Sequence, residues 1–486
     1  MKKILLILGI IVFFPLCFVG CFQTSEEKLT TYTLDATFDE EKNILSCEMK
    51  VDFVNNTDSA LDKLCFFLYP NSFAENQKTV PNSYKNLAYP NGESFGNIQI
   101  NSAYLGENQT EFTLSEPNFN ILTINLENTL FPKESVQIGL DFDVKLANIN
   151  HRLGYGENTI NFGNFIPLVC VYEEGDGFYL TEFSSSGDPF YSDVANFDVT
   201  IKYDQNFKIA TTGECNISSK NNQNVAKCNA FKVRDFCFIL SKKFEVVENV
   251  CDGVTIKYFY YDDQNAEHFL KTATDALSLF SNLFEKYPYK TLSIVKTNFC
   301  FGGMEYPNLV TISDNITDEK VFDYVIAHEV AHQWWYSLVG NNEFEEAWVD
   351  ESLTDYCAML FFKMKSEYGV DYDVLIENAR QNYTNFVEIF TKINGSVDQS
   401  MNRSLSEFDT DPEYTNCVYV KGVLMYDSLR CTIGEKKFLN CLKNYCKTYA
   451  YKNASGAKLV ESFSKTSHIN LTSFFDSWLG GTVIIN

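Results

Sequence analysis

Five residues, His328-Glu329-Val330-Ala331-His332, constrain this chain more than any other stretch. They sit in the run Glu319 to Val339, where Val321, Val325, Ala331, Trp335 and Leu338 recur with a polar seam between them, so the spacing predicts an amphipathic helix. Thr317 or Asp318 can cap its start, Asp318 and Glu319 suit its positive end, and Gly340 can end it. Residues four apart on a helix stand one turn above each other, so His328 and His332 aim their imidazoles at one point. Glu329 lies about 100° round from His328 and leans over that point. Two converging neutral imidazoles make a partial zinc site, and a carboxylate beside them can take a proton from water held by the metal.

Two histidines on a helix that also holds Trp334 and Trp335 can equally be hydrogen-bonded core residues. The chain has only five histidines, which makes an accidental pairing less easy. The stronger argument is Glu351, with eighteen residues between it and His332. It opens a second helical run through Met359, Phe362 and Met364, with Gly369 as the stop. A helix, a loop and a second helix can return that carboxylate to the histidines. Two His and one Glu leave a fourth position for water, which is the catalytic rather than the structural zinc pattern. Asp355, one turn beyond Glu351, is a candidate to accept the second ring N–H of a zinc-bound histidine; a solvated helix charge is the alternative.

At 486 residues the chain exceeds one core, and two domains are expected. Its 45% hydrophobic and 21% charged residues are those of a globular protein. A net charge of −25 argues against nucleic acid as a partner, because phosphate binding needs basic surface. Residues 1–21 read as a signal peptide: Lys2 and Lys3 precede sixteen residues of apolar character, Ile4 to Val19, too few to span a bilayer. The Phe-Val-Gly-Cys ending resembles a bacterial lipoprotein signal, with Phe18 where leucine is more usual. Cleavage there would leave Cys21 lipidated, a tether at 22–27, and an exported protein on the outer face of the cell membrane; plain secretion and a retained anchor are the alternatives. Of fifteen cysteines, thirteen lie beyond the signal region with no dense spacing. Cys215 and Cys228 flank a turn-like stretch and can pair or remain free, and no bridge is assigned.

Residues 28–250 alternate with period two. Tyr32, Leu34, Ala36 and Phe38 form one run, Met49, Val51 and Phe53 another, and Phe197, Val199, Ile201 and Tyr203 a third. This predicts a β domain of mostly antiparallel strands. Its only histidine is His151, and it shows no metal-ligand spacing. Residues 251–486 change period, with a last strand at Val254 to Tyr261, a helix over Glu267 to Lys286 and a strand over Leu292 to Asn298. Then follows FGGMEYP, in which Gly302 and Gly303 let the backbone approach a ligand or bulge, and Glu305 sits in an apolar setting where a carboxylate needs a partner. A plain strand-edge turn is the other reading of that segment. Tyr414 and Tyr419 flank a segment ending VYVKG; a phenol can donate to an oxyanion, but twenty-eight tyrosines make any one of them a weak candidate.

Together these pieces resemble the aminopeptidase N family of gluzincin metallopeptidases. HEVAH with Glu351 matches that family's zinc signature, FGGMEYP resembles its exopeptidase motif, and VYVKG matches the segment of its catalytic tyrosine. Gly187 to Ile201 looks like part of its N-terminal saddle domain. The resemblance implies an α+β chain, with an antiparallel β saddle-like domain followed by a thermolysin-like, mainly helical catalytic domain. It also implies one zinc ion per chain on His328, His332 and Glu351, with Glu329 as general base and Tyr419 as oxyanion donor. Glu305, with Gly302, Gly303 and Met304, would bind the free N-terminus of a peptide. Tyr306 departs from the asparagine usual in that motif. A zinc aminopeptidase is the expected function; a thermolysin-like endopeptidase and an inactive peptide-binding lipoprotein are the alternatives.

Overall fold

Alternating burial lays down the first half of the molecule. The computed structural model describes residues 28–485; the predicted signal peptide, Cys21 and the tether lie outside them. In Thr31–Asp39 the side chains of Tyr32, Leu34, Ala36 and Phe38 turn inward and their neighbours outward. The strand pairs antiparallel with Ile44–Val54 and parallel with Ala195–Asp204. That parallel pair is the one exception in an otherwise antiparallel sheet of eight strands. Two four-stranded sheets pack with it around one apolar core. Cys215 and Cys228 face each other across neighbouring strands and form a disulfide, which settles the choice the sequence left open.

The second half begins on a five-stranded sheet, ordered Glu245–Cys251, Val254–Tyr260, Thr291–Thr297, Leu309–Ser313 and Gly303–Met304. The sequence boundary near residue 250 therefore falls inside its first hairpin. The helix Ala266–Leu283 and the histidine helix Glu319–Ala331 pack against this sheet, and the rest of the half is mostly helical. A third core is shared: Phe67, Tyr69, Phe190 and Ile239 from the first half meet Val295, Met304, Tyr306 and Leu309 from the second.

Three readings of the helices are corrected. The histidine helix stops at Ala331 instead of Val339. There the backbone tightens, with the N–H of Trp334 reaching Ala331 O at 2.9 Å, and turns so that Val339–Gly340 pairs with Lys452–Asn453. Gly340 is therefore a strand residue and caps nothing. The apolar pattern ran on because Trp334 and Trp335 stay buried in the turn, their indoles donating to Glu285 O and Cys357 Sγ. Val321, placed on the apolar face, is exposed; Phe322, Ile326 and Val330 carry the burial. Gly369 ends a separate short turn, Ser366–Tyr368, in left-handed conformation, and the helix before it has already closed at Met364.

Candidate metal centre and the cleft beside it

Asp318 caps the histidine helix by accepting from the N–H groups of Lys320 and Val321. Its far end presents His328 and His332. Their Nε2 atoms lie 3.1 Å apart, and Glu351 Oε2 stands 3.3 Å from the first and 3.2 Å from the second. Ligands bound at about 2.05 Å around a tetrahedral ion are separated by about 3.3 Å, so the three atoms form one face of such a site. The opposite ring nitrogens are tied down, as ligand histidines require. His328 Nδ1 meets Asp355 Oδ1 at 3.2 Å, an oxygen that also accepts from the Tyr324 hydroxyl, and His332 Nδ1 donates to Trp335 O at 2.8 Å.

Glu351 lies in a π-helical turn, Trp348–Ser352, ahead of the helix Leu353–Met364. A second π-helical turn, Asn416–Val420, carries Tyr419. The two turns are joined where Ser352 Oγ donates to Val418 O. Gly422 permits this approach, since a Cβ there would stand 2.3 Å from Ser352 Oγ. Tyr419 is half-buried, its ring centre 6.1 Å from that of His328. Burial and the Glu351 charge hold its phenol well above the usual range, so it remains a hydrogen-bond donor.

Gly303–Met304 is the edge strand of the second sheet, and Gly302 and Gly303 are partly exposed beside the histidine helix. Met304 differs from expectation: its side chain is buried in the core shared by the two halves, which leaves only its backbone for a ligand. Glu305 enters the site. Its carboxylate comes within 4.8 Å of His332 and Asp350, and equally of Asp188 and Glu351. Gln333 fixes this segment to the histidine helix by accepting from Asn308 N–H and donating to Tyr306 O. Tyr306 points its phenol into the first half, donating to Asn164 Oδ1 at 3.0 Å.

The electrostatics call for positive charge. Burial raises Glu305 well above the usual carboxylate range, with Asp188 adding to it. Burial likewise lifts Glu329 to about 7, against the pull of both imidazoles. Glu351 goes the other way: burial would raise it, but the two imidazoles outweigh that and hold it well below. One oxygen each of Glu305 and Glu329 has no hydrogen-bond partner. Buried acceptors of this kind need a cation or a donor from a ligand.

The spacing arguments brought His328, Glu329, His332, Glu351 and Asp355 to one place, and Glu305 and Tyr419 lie beside them. They missed Asp188 and Arg152, which the first half contributes as an ion pair at 2.7 Å. They also missed Asp350, buried with a carboxylate oxygen within 4.8 Å of that of Glu305. Asp188 falls within the Gly187 to Ile201 stretch, the one signal that pointed toward it.

Comparison with known proteins gives a consistent outcome. The model of the peptidase family M1 domain matches residues 269–478. Leucine aminopeptidase 2-1 of Meyerozyma guilliermondii is 25% identical over 240 residues, 47% of this chain and 37% of that one. Leukotriene A-4 hydrolase of Xenopus laevis is 28% identical over 205 residues, 40% of this chain and 31% of that one. The chain thus spans about a third of the length of these curated relatives. Among solved structures, the M1 zinc metallopeptidase from Deinococcus radiodurans superposes with a TM-score of 0.67 at 14% identity, covering 94% of each chain. A mutant of it bound to a Tyr-Ser-Ala substrate aligns equally well, at 15% identity over 94% of each chain. That likeness extends the shared fold across both halves. Residues 269–478 thus match the peptidase family M1 domain, and over that stretch the chain is similar to aminopeptidases.

Proposed function

We propose that this chain is a zinc-dependent aminopeptidase that removes the first residue from peptides with a free N-terminus. The observation that carries the reading is the joint placement of three ligand atoms 3.1–3.3 Å apart, Glu329 next to them, and a buried, partnerless Glu305 oxygen in the same cleft. Zinc, when bound by His328, His332 and Glu351, supplies a Lewis acid that polarises the scissile carbonyl and acidifies water. Glu329 takes the proton of the attacking water on its carboxylate and returns it to the leaving amine. Tyr419 donates its O–H to the carbonyl oxygen as negative charge develops there. Glu305 holds the α-ammonium by a charge-assisted hydrogen bond, which sets the first peptide bond at the reacting centre. The edge strand Gly303–Met304 offers backbone groups along which the peptide can lie. Asp355 orients His328 and does not touch substrate.

The relatives' names support the substrate class, and the export signal read in residues 1–21 supports action outside the cell, anchored through Cys21. Among the described residues no helix is long and apolar enough to cross a membrane. The test is hydrolysis of a free aminoacyl amide and its N-acetylated form, with and without chelator. The reading expects cleavage of the free form alone, abolished by chelation and restored by zinc. Equal cleavage of both forms removes the role of Glu305, and chelator-resistant hydrolysis removes the metal.

A further inference from the structure

The π-helical turn Asn416–Val420 that carries Tyr419 is closed by the residue after it, Lys421, whose backbone N–H donates to Asn416 O. On one side the turn is fastened to that of Glu351, through Ser352 Oγ and Val418 O. The other fastening is the Lys421 side chain, which is 0% exposed. Its Nζ donates to Gln399 O at 2.6 Å and to Trp478 O at 2.9 Å. Gln399 lies in the loop that follows the helix Tyr372–Asn394, and Trp478 in the last helix, Thr472–Leu479. These two segments also meet directly, where the Met401 N–H donates to Leu479 O at 2.8 Å.

Burying an ammonium group is costly, and here its hydrogen bonds go to two main-chain carbonyls rather than to a carboxylate. A methionine or leucine would fill the same space without that cost. What the ammonium adds is a pair of charge-assisted bonds to two separate segments, which fix one point next to the turn. A π-helical turn rotates the side chains it carries relative to the helix around it, so the aim of Tyr419 depends on what holds the turn.

Building on the aminopeptidase reading, in which Tyr419 donates to the oxyanion, we propose that Lys421 is a positioning residue for Tyr419. Its ammonium ties the turn to the Gln399 loop and the last helix, and so sets where the phenol stands over the reacting carbonyl. Lys421 itself touches no substrate.

Lys421→Met keeps the stem and removes the three N–H donors. The probes are the leucyl and alanyl amides of one fluorophore on the zinc-loaded protein. The expected result is kcat lowered by about tenfold or more, with KM within about threefold of wild type and zinc retained. In a Tyr419→Phe background the same substitution should cost nothing further, because a residue that acts through the phenol has no hydroxyl left to position. A second readout needs no turnover: a fluorotyrosine placed at position 419 gives a fluorine NMR line that Lys421→Met should shift or broaden. Should Lys421→Met not fold, Gly481→Ala takes its place in both readouts. Its methyl would lie 2.8 Å from Gln399 C and Ser400 N, so it pushes on the carbonyl that Lys421 holds and leaves the lysine intact. Equal losses in the wild-type and Tyr419→Phe backgrounds overturn the proposal, and so does an unchanged fluorine line in the variant that folds. If wild type cleaves neither amide, the aminopeptidase reading fails, and the fluorine line still decides this one.

Discussion

Gly303→Ala puts a methyl group where the proposed general base stands. A Cβ on Gly303 would lie 2.3 Å from Glu329 Oε1, 2.7 Å from its Cδ and 2.8 Å from its Cγ. Ordinary contact begins near 3.4 Å, so the carboxylate must move by about 1 Å, the scale at which misplaced catalytic groups lose about a hundredfold in rate. That factor is about 2.7 kcal/mol of transition-state stabilisation. The fold itself should lose little. Gly303 is not among the residues with positive φ, so alanine fits its backbone, and what must shift is the end of a flexible side chain.

The assay is kcat/KM on a free aminoacyl amide, read together with bound zinc and Tm. The expected result is a loss of about a hundredfold with one zinc per chain and a nearly unchanged Tm. Gly302→Ala is the comparison: its methyl would meet only Val325 Cγ2, at 4.0 Å, so it leaves Glu329 in place and should lose less than about tenfold. Activity of Gly303→Ala within about threefold of wild type, or equal losses in the two variants, would refute the argument that Gly303 is small to make room for Glu329.

Asp355→Ala should weaken zinc binding by about 10–100-fold, because His328 Nδ1 loses the carboxylate that orients it. Competition with a chelator of known affinity measures this, and unchanged affinity removes the role. Asp235 tests stability against pH. Burial raises its carboxyl to about 7, offset in part by the Phe236 N–H and the Asn164 side chain. A raised pKa means the folded state holds the proton more tightly, so the stabilisation is full below about pH 4 and lost as pH rises through about 7. Wild type should therefore lose on the order of a few kcal/mol from this group between about pH 5 and about pH 8. Asp235→Asn should flatten that decline, and parallel denaturation curves for the two proteins would show that the group does not titrate in this range.

The convergence of His328 and His332 was legible because its geometry is local. Two histidines one turn apart need only a helix to converge, and that helix does form over Glu319–Ala331. Period-two burial made the first half readable as sheets, and Thr31–Asp39 and Ala195–Asp204 follow it strand by strand. Their parallel pairing was not legible, since periodicity fixes which face is buried and says nothing about the neighbour. The end of the histidine helix was misread for a similar reason: Trp334 and Trp335 are as buried in a turn as they would be on a helix face. Both π-helical turns escaped because one extra residue per turn leaves no repeat in so short a stretch. Asp188 and Arg152 could not be seen because only packing between the halves brings them to Glu305.

That last point explains the departure at Tyr306. The residue after Glu305 turns its phenol away from the cleft into the first half, onto Asn164, whose side-chain N–H holds Asp235 in turn. Arg234, next to Asp235 and 2% exposed, reaches across to the backbone of Tyr336 and Lys452. Tyr336 stands in the turn that follows His332, and Gln333 of the same turn holds the Glu305 segment. Hydrogen bonds joined through the adjacent residues Arg234 and Asp235 therefore tie the first half to both sides of the cleft, the Glu305 segment and the end of the histidine helix. Such groups are costly unless each is satisfied, so the first half cannot shift without uncovering several of them together. Tyr306 thus fastens the Glu305 segment to the first half, at Asn164 just beyond the strand Ile160–Phe162, so the distance from Glu305 to the histidine pair depends on how the two halves pack.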